Sequence, residues 1–301
     1  MESQLTFENA LERIVEIRDR YLRDRCIFIP SAEMKELVFS LGATPSDLQA
    51  LQKESDRLQP DPTLPFRRSR NGRYCFVPKD RRIYRTVQQS FVLTAEEDFV
   101  RHDSGKVRKF ASVTPSTQAN PAFQALLAIN ALITERSEVE HRAGLDYTSP
   151  KWITTAFHLR TITTPEIVGE PALEGVHQDG VDHTMTIFLG SANMVRESAT
   201  TRLHCNAEVS GTQWQDENPA YILGTHQHQD PLDTLIVVDH ERKHSVSAVR
   251  ASDPDTPAVR DMLILFTRKP VVSTHISHEY DSDETNFDVP LTVHLPLLTT
   301  T

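Results

Sequence analysis

Hydrophobic positions follow a helical period in the first part of the chain. From Phe7 to about Arg23, apolar side chains recur every three or four residues, which is the spacing of an amphipathic helix. Two shorter stretches follow, each behind a serine that stands where an N-cap would be. We interpret the proline-rich stretch at 60–65 as a linker that ends this helical part. The pattern predicts helices near 7–23, 32–41 and 47–58, with Ser31 and Ser46 as the caps of the last two.

Strand patterns replace helical ones after this linker. Residues 72–78 and 81–94 are rich in β-branched and aromatic side chains, which favours strands, and one more helical stretch covers residues 121–139. Beyond Lys151 the helical period disappears, and apolar runs alternate with turn residues. Seven or eight short strands of this kind are typical of a sandwich or jelly roll, in which two packed sheets enclose a cavity. The runs predict strands at 152–164, 182–190, 199–209, 220–226, 233–239, 244–249 and 259–268.

Composition and charge narrow the classes of protein that fit this pattern. Apolar residues make up 38% of the 301 residues and charged residues 25%, which is typical of a globular protein with its own core. The net charge of −10 disfavours a nucleic-acid partner bound through its phosphates. No stretch approaches the roughly 20 apolar residues of a membrane span, and the first residues lack the apolar region of a signal peptide. We therefore expect a cytoplasmic protein with no membrane partner; the oligomeric state stays open, a homodimer included.

The residues that carry chemistry concentrate in the strand-rich part. His177 and Asp179 stand two residues apart, just before an apolar strand, so in extended backbone their side chains point the same way. His244, which follows a strand and a polar turn, offers a third ligand. Two histidines and one carboxylate on one face of an octahedron leave three positions open, which is the arrangement of Fe(II) oxygenases. The three residues therefore predict an Fe(II) site, although an H-x-D pair alone is a weak signal in a chain with 13 histidines.

A cation suited to a dicarboxylate co-substrate lies further along the chain. Arg260 opens a strand sixteen positions beyond His244, and its planar guanidinium can bind a carboxylate through two hydrogen bonds. We predict that it binds the C5 carboxylate of 2-oxoglutarate, with Arg250 and Arg268 as alternatives. Three apolar residues share the face of Arg260 and would form a wall of the pocket: Met262, Ile264 and Phe266.

Three segments carry a resemblance to a known family. PALEGVHQDGVDHTMTIFL, DTLIVVDHERKHSVSAV and RDMLILF resemble, in order and spacing, the three blocks of the 2-oxoglutarate-Fe dioxygenase family that includes isoleucine dioxygenase. The resemblance covers about residues 155–270. It implies a mainly β fold with N-terminal helices, namely a double-stranded β-helix of the jelly-roll, cupin-like kind. We expect one catalytic domain over 1–301, with helical decoration over 1–60 and the β-helix core over 75–300, which the helix near 121–139 interrupts.

The resemblance also implies a reaction. Characterised members of the family hydroxylate free aliphatic L-amino acids or oxidise methionine to its sulfoxide. For this chain it implies iron held by His177, Asp179 and His244, and 2-oxoglutarate held by Arg260. The expected enzyme consumes 2-oxoglutarate and O₂, releases succinate and CO₂, and oxidises a small molecule, most simply by hydroxylating a free aliphatic L-amino acid or a derivative.

A second function class stays open beside the oxygenase. A cupin-like isomerase or binding protein would use the same jelly roll and a divalent metal without O₂ chemistry. Uncoupled conversion of 2-oxoglutarate to succinate in the presence of Fe(II) would distinguish the oxygenase from this alternative.

Further histidines and two departures from the family pattern bear on the pocket. His226 and His228 alternate in GTHQHQD, and Asp230 or His204 could complete a second metal site, but we favour a polar loop because no clear further ligand is present. The stretch NMVRESATTRL lacks the glycine pair usual in the family, and an insertion lies around GTQWQDENPA. Both changes lie where we expect the substrate pocket to be reshaped.

Overall fold

The computed structural model describes residues 6–94 and 103–298 of the chain. The two ends of the predicted domain, 1–5 and 299–301, and the segment 95–102 lie outside the described residues. Within the described ranges the helices are α1 (Phe7–Asp24), α2 (Ser31–Ser40), α3 (Pro45–Lys53), α4 (Pro115–Ala119) and α5 (Pro121–Thr134).

The strands lie in the same order along the chain as the pattern predicts, with additions at the start and end. They are β1 (Cys26–Ile29), β2 (Gln59–Pro60), β3 (Arg67–Val77), β4 (Arg82–Arg85), β5 (Trp152–Thr163), β6 (His183–Ala192), β7 (Thr201–His204), β8 (Ile222–His226), β9 (Thr234–Val238), β10 (Lys243–Val246), β11 (Ala258–Arg268) and β12 (Thr292–His294). The short strands β1, β2 and β12 carry too few residues to show a period of their own.

Two antiparallel sheets form the body of the protein. The larger has the order β1-β9-β6-β11-β5-β3-β4-β12, with β2 paired to β3, and the smaller has the order β10-β7-β8. The predicted fold class is confirmed: the protein is mainly β, with N-terminal helices and a jelly-roll arrangement of its strands. Strands adjacent in space are often distant in the sequence, as when β11 lies between β5 and β6.

The two faces of the larger sheet have different tasks. Along β11, Leu263 and Leu265 point to one face and join the hydrophobic core formed with α1, α2, α3 and α5. Met262, Ile264 and Phe266 point to the other face and line a cavity. Because side chains alternate along a strand, one strand can anchor the helices and shape a pocket at once.

The N-terminal caps of the helices differ from the prediction. The side chain of Thr44 accepts a hydrogen bond from the Asp47 amide (3.2 Å), and the Asp47 carboxylate accepts one from the Thr44 amide (2.8 Å), so α3 begins with a capping box. Ser46 already lies inside this helix, and Ser31 is the first residue of α2, behind Pro30. The prediction of Ser31 and Ser46 as N-caps is wrong, because a threonine two residues earlier makes the better reciprocal pair in α3.

Several predicted elements are shorter than the sequence pattern. The strand predicted over 81–94 ends at Arg85, after which the Gln88 side chain bonds to Asn71 instead of extending the ladder. The helix predicted over 121–139 ends at Thr134, where the amide and hydroxyl of Ser137 both donate to the Thr134 carbonyl oxygen. The strand predicted over 199–209 is limited to β7.

The predicted linker at 60–65 is an ordered turn. The Asp61 carboxylate accepts hydrogen bonds from the amides of Thr63 (3.0 Å) and Leu64 (3.2 Å), from Arg67 Nε (2.8 Å) and from the Ser69 hydroxyl (3.0 Å). A buried carboxylate with this many donors fixes the chain, so the segment joins β2 to β3 rather than spacing two units. No helix in the described part of the chain is long and apolar enough to cross a membrane.

Candidate active site

The main chain brings two of the predicted ligands together. The amide of His177 donates to the His244 carbonyl oxygen and the amide of His244 donates to the His177 carbonyl oxygen, both at 2.9 Å. A reciprocal pair of this kind holds two residues directly opposite each other, as in an antiparallel ladder. Their rings lie side by side with centroids 4.3 Å apart.

Asp179 completes the predicted set. Its carboxylate lies 3.5 Å from His177 Nε2 and 3.4 Å from His244 Nε2, and one ligand atom from each of the three residues lies within 4.8 Å of the others. Among the described residues no other group of three or more histidine, cysteine, aspartate or glutamate side chains converges in this way. The three predicted residues therefore form one candidate metal site.

Hydrogen bonds fix the direction of the metal-facing atoms of His177 and Asp179. His177 Nδ1 donates to the Gly175 carbonyl oxygen (2.8 Å), which turns Nε2 toward the Asp179 carboxylate. The Thr184 hydroxyl donates to Asp179 Oδ2 (2.7 Å), from the start of β6. The site is thus held by residues of its own loop and of the strand that follows it.

The electrostatics favour a positive charge between these side chains. Burial opposes the charged form of His177, but the Glu174 and Asp179 carboxylates outweigh it and raise its pKa to about 10. Burial also opposes ionisation of Asp179, yet the His244 and His177 rings lower its pKa to about 2. Burial lowers the pKa of His244 to about 4. The cluster therefore stabilises a positive charge between the three side chains, and a bound divalent metal ion would supply that charge.

A cavity of about 140 Å³ opens beside the triad. All three predicted ligands line it, together with Arg260 and the three apolar residues of β11 that share its face. The remaining wall is mostly apolar, and four phenylalanines supply much of it: Phe91, Phe110, Phe157 and Phe266. Phe157 contacts the other three rings edge to face, with centroids 4.9 to 5.7 Å apart.

Arg260 is a buried cation without a carboxylate partner among the described residues. It is 5% exposed, its Nε has no hydrogen-bond partner there, and burial lowers its pKa to about 10. A buried, uncompensated guanidinium is costly unless an anion binds it. Of the two alternatives, Arg250 is exposed and Arg268 pairs with Asp281 (2.7 Å), so neither lines the cavity.

Most of the chain, residues 52–266, matches the protein family described as 2OG-Fe dioxygenase. The chain belongs to this family. The enzyme is accordingly a dioxygenase that depends on Fe(II) and 2-oxoglutarate, with O₂ as co-substrate. The resemblance in the three sequence blocks is confirmed for the family, and the alternative of a cupin-like protein without O₂ chemistry is wrong.

Two similar proteins align with almost the whole of this chain. A bifunctional enzyme of Aspergillus flavus, flvA, is 40% identical over 289 residues, which cover 96% of this chain and 35% of that protein. The chain thus spans about a third of the length of this relative. The structure of an Fe(II)/α-ketoglutarate-dependent dioxygenase, TqaL, is 41% identical and superimposes with a TM-score of 0.82, covering 96% of this chain and 97% of that one.

Two more distant structures share the fold of the dioxygenase. A bsmA homologue from Methylobium petroleophilum is 21% identical with a TM-score of 0.66, covering 89% of this chain and 95% of that one. IDO from Bacillus thuringiensis is 14% identical with a TM-score of 0.59, covering 85% of this chain and 98% of that one.

The residues at the cavity fit the cofactors of the family. Two imidazoles and one carboxylate are the donor set that suits Fe(II) with open positions, and His177 already has its other nitrogen engaged. Arg260 supplies the uncompensated charge that a dicarboxylate would neutralise. The fit rests on one metal site and one anion site that share a single cavity.

A second carboxylate supports the site from behind, and the sequence reasoning missed it. Asp239 is fully buried, and its carboxylate accepts hydrogen bonds from the Asp179 amide at 3.0 and 2.8 Å. One of its oxygens lies 3.8 Å from His244 Nδ1. A carboxylate that accepts the Asp179 amide and lies close to the His244 ring supports the candidate site from behind. The only local signal is its position directly after β9, five residues before His244.

The insertion around GTQWQDENPA does not line the cavity, and its contacts lie on the loop before His177. The Gly211 amide donates to the Val176 carbonyl oxygen (2.7 Å), and the Val176 amide donates to that of Thr212 (2.8 Å). A Cβ on Gly175, where φ is +75°, would meet the Thr212 carbonyl oxygen at 2.4 Å. The insertion supports the loop that carries His177. The glycine-free stretch before it contributes Thr201 to the cavity wall.

Proposed function

We propose that this dioxygenase hydroxylates a small molecule, a free aliphatic L-amino acid or a derivative of one, with release of succinate and CO₂. One observation carries the proposal: a His-Asp-His cluster and a buried, uncompensated arginine face the same small, mostly apolar cavity. Such a cavity suits a compact co-substrate with two charged ends and a second molecule with an aliphatic side chain.

Each residue of the site has a distinct part in the proposal. His177, Asp179 and His244 would hold Fe(II), and Arg260 would bind the C5 carboxylate of 2-oxoglutarate through its guanidinium. Bound iron would supply the activation of O₂ that couples decarboxylation of 2-oxoglutarate to oxidation of a C–H bond. Thr184 and the Gly175 carbonyl group keep the donor atoms aimed at one point.

The apolar wall has two tasks in this reaction. Met262, Ile264 and Phe266 exclude water from the face of β11 that lies between Arg260 and the triad. The edge-to-face contacts of Phe157 make the wall rigid, so a bound side chain is held in one position relative to the metal site. Precise placement of one C–H bond is what selects the carbon to be oxidised.

The test is a screen of free L-amino acids with the purified protein, Fe(II), 2-oxoglutarate and O₂. We expect at least one aliphatic member to give a product heavier by one oxygen atom, in step with succinate formation. The Asp179→Ala variant serves as the control that removes the proposed iron site. Succinate formation without any modified amino acid or derivative would contradict the substrate class and leave the dioxygenase activity standing.

Four further expectations stay predictions. They are a single catalytic unit over residues 1–301, a cytoplasmic location, the lack of a nucleic-acid partner and a homodimer as one possible assembly. A substrate like that of isoleucine dioxygenase is likewise a prediction for this chain.

A further inference from the structure

A second arginine faces the cavity from the strand next to β5. Arg67 opens β3 and lines the same cavity as Arg260 and the triad. On β5, Thr161 pairs with Arg67 on one side and with Arg260 of β11 on the other. Residues directly opposite each other in neighbouring strands point to the same face of a sheet, so both guanidinium groups extend from the cavity face. With one strand between them, their backbones stand about 10 Å apart.

The turn between β2 and β3 holds Arg67 by one edge of its guanidinium. Arg67 Nε donates to Asp61 Oδ2 (2.8 Å), and the side chain of Asp61 is fully buried. The same carboxylate also accepts hydrogen bonds from Thr63, Leu64 and Ser69, so it is fixed from several directions. A partner that is itself fixed determines the direction of the guanidinium that it binds.

The two terminal nitrogens of Arg67 remain available for a ligand. The structure shows no hydrogen bond from Nη1 or Nη2 to any described residue, and the side chain keeps 13% of its surface exposed. These two nitrogens form the planar fork that matches a carboxylate. The next residues on this face, Leu159 of β5 and Met262 of β11, are apolar. A carboxylate at the fork would therefore be bound against an apolar wall, where a charge-assisted hydrogen bond is stronger than in water.

Two guanidinium groups in one cavity fit the two small molecules of the reaction. Arg260 is the proposed partner of the C5 carboxylate of 2-oxoglutarate. A second fork, two strands away, suits a second carboxylate, and a free amino acid carries one. The third arginine at the cavity, Arg108, has the ring of Phe91 beneath its guanidinium (4.9 Å to the centroid) and Asp103 at 3.6 Å. Arg67 is therefore the stronger candidate for the substrate.

We propose that Arg67 binds the α-carboxylate of the amino-acid substrate through Nη1 and Nη2. This inference rests on the proposed function and specifies it. The amino acid would lie with its carboxylate at the start of β3 and its aliphatic side chain along the apolar wall, toward the triad. Arg67 is a substrate-binding residue with no part in electron or proton transfer.

The experiment compares amino acids with derivatives that lack the carboxylate. Alanine, valine, leucine and isoleucine, all in the L form, are each paired with the primary amide, in which a neutral group of similar size replaces the anion. Dissociation constants are measured by calorimetry on the protein loaded with Fe(II) and 2-oxoglutarate without O₂. The proteins are the natural chain, Arg67→Lys, Arg67→Gln and the matched control Arg160→Lys. Arg160 of β5 also pairs with an aspartate, Asp261 (2.7 Å), but does not line the cavity.

We expect Arg67→Lys to weaken binding of the preferred amino acid roughly 10- to 100-fold, because an ammonium beside Asp61 cannot present a planar fork to a second carboxylate. Arg67→Gln should weaken it at least as much. The amide should bind the natural protein about as weakly as the amino acid binds Arg67→Lys, and neither variant should weaken it further. Arg160→Lys should bind both like the natural chain. Lysine keeps a positive charge next to the buried Asp61, so the far-ultraviolet circular dichroism of Arg67→Lys should be unchanged.

Four results would overturn the inference. Equal weakening of amino acid and amide by Arg67→Lys would assign Arg67 a structural role. A raised KM for 2-oxoglutarate in substrate-free succinate formation, with amino-acid binding unchanged, would assign Arg67 to the co-substrate. Unchanged binding of the preferred amino acid in both Arg67 variants would refute this contact and leave the proposed function standing. Binding of no amino acid to the natural protein would contradict the proposed substrate class as well.

Discussion

Two groups of histidines lie next to each other in this protein and differ in what surrounds them. His177 and His244 face a shared carboxylate across a reciprocal pair of backbone hydrogen bonds. The second group consists of His204, His226 and His228, for which a metal site was the less favoured prediction. The structure brings no three ligands together there among the described residues, in agreement with that preference.

The partners of the second group explain the difference. His204 Nε2 bonds to the Ser245 hydroxyl (3.0 Å) and His228 Nε2 to the Thr186 hydroxyl (3.2 Å), while His226 stacks on Phe28. His204 lies one residue beyond Leu203, the register partner of His244, so its side chain points to the other face of the smaller sheet. Burial lowers the pKa of His228 to about 3, which keeps its ring neutral. The side chains of this second group contact hydroxyls and a ring, and their nitrogens do not converge on one point as those of the triad do.

The largest effect is expected on turnover, when a residue of the triad is removed rather than a histidine of the second group. His177→Ala, Asp179→Ala and His244→Ala should each abolish turnover, because two remaining ligands hold Fe(II) too weakly. His226→Ala, which removes a histidine outside the site, should retain both metal and activity. Succinate formation and metal content after gel filtration measure the outcome. Activity near that of the natural enzyme in any of the first three variants would contradict the assignment of the triad.

The next prediction compares the two ends of β11. Arg260→Ala should raise the apparent KM for 2-oxoglutarate roughly 10- to 100-fold, because a charge-assisted contact of about 1.5–3 kcal/mol is lost. Arg260→Lys should restore part of it, since an ammonium cannot bind both carboxylate oxygens in the same plane. Arg268→Ala should lower thermal stability, because Arg268 pairs with Asp281, and leave the KM unchanged. A KM for Arg260→Ala equal to that of the natural enzyme would transfer the role to another cation.

A smaller effect is expected when the carboxylate that lies beside each group of histidines is replaced by an amide. Asp239→Asn should lower Fe(II) affinity on the order of 10-fold, because it weakens the support of His244 and of the Asp179 backbone. Glu217→Gln is the matched change: Glu217 lies 3.7 Å from His204 and accepts a hydrogen bond from Arg202 (2.7 Å). The Glu217→Gln variant should change the stability of the protein and leave its Fe(II) affinity unchanged. Titration with Fe(II) under anaerobic conditions would decide, and equal metal affinities in the two variants would refute the role of Asp239.

The smallest expected effect is none at all. Iron halogenases of this chemistry obtain room for chloride by replacing the carboxylate ligand with glycine or alanine, whereas the proposed carboxylate ligand is present here as Asp179. Reactions run in high chloride and in high bromide should therefore give the same oxygenated product, with no halogen isotope pattern in its mass spectrum. A halogenated product would mean that Asp179 is not a ligand.

The sequence was informative wherever a feature is local. The H-x-D spacing, the apolar alternation of β11 and the position of Arg260 depend on neighbouring residues, and the structure brings these side chains to one cavity. Asp239 was missed because its hydrogen bonds with the Asp179 amide join residues that lie 60 positions apart in the chain. The supporting role of the insertion was missed for the same reason, since its contact with Gly175 joins segments that no periodicity relates.

The predicted boundaries of several helices and strands were wrong for a different reason. A threonine and a serine compete to cap α3, and only the reciprocal bond with Asp47 selects Thr44. β4 ends near a side-chain bond from Gln88 to Asn71, a distant strand residue, whereas α5 ends where Ser137 bonds back to the Thr134 carbonyl oxygen three residues earlier. Specific hydrogen bonds, local in α3 and α5 and distant in β4, thus decide where an element stops after its composition has decided what it is.

The reciprocal backbone pair between His177 and His244 has a consequence for variants of the site. Bringing two distant residues together costs entropy that grows with the length of the chain between them, here residues 178–243. The two hydrogen bonds that close this long loop join main-chain atoms alone, so they do not depend on which side chains stand at the two positions. Replacing either imidazole should therefore remove a proposed ligand and leave the loop closed.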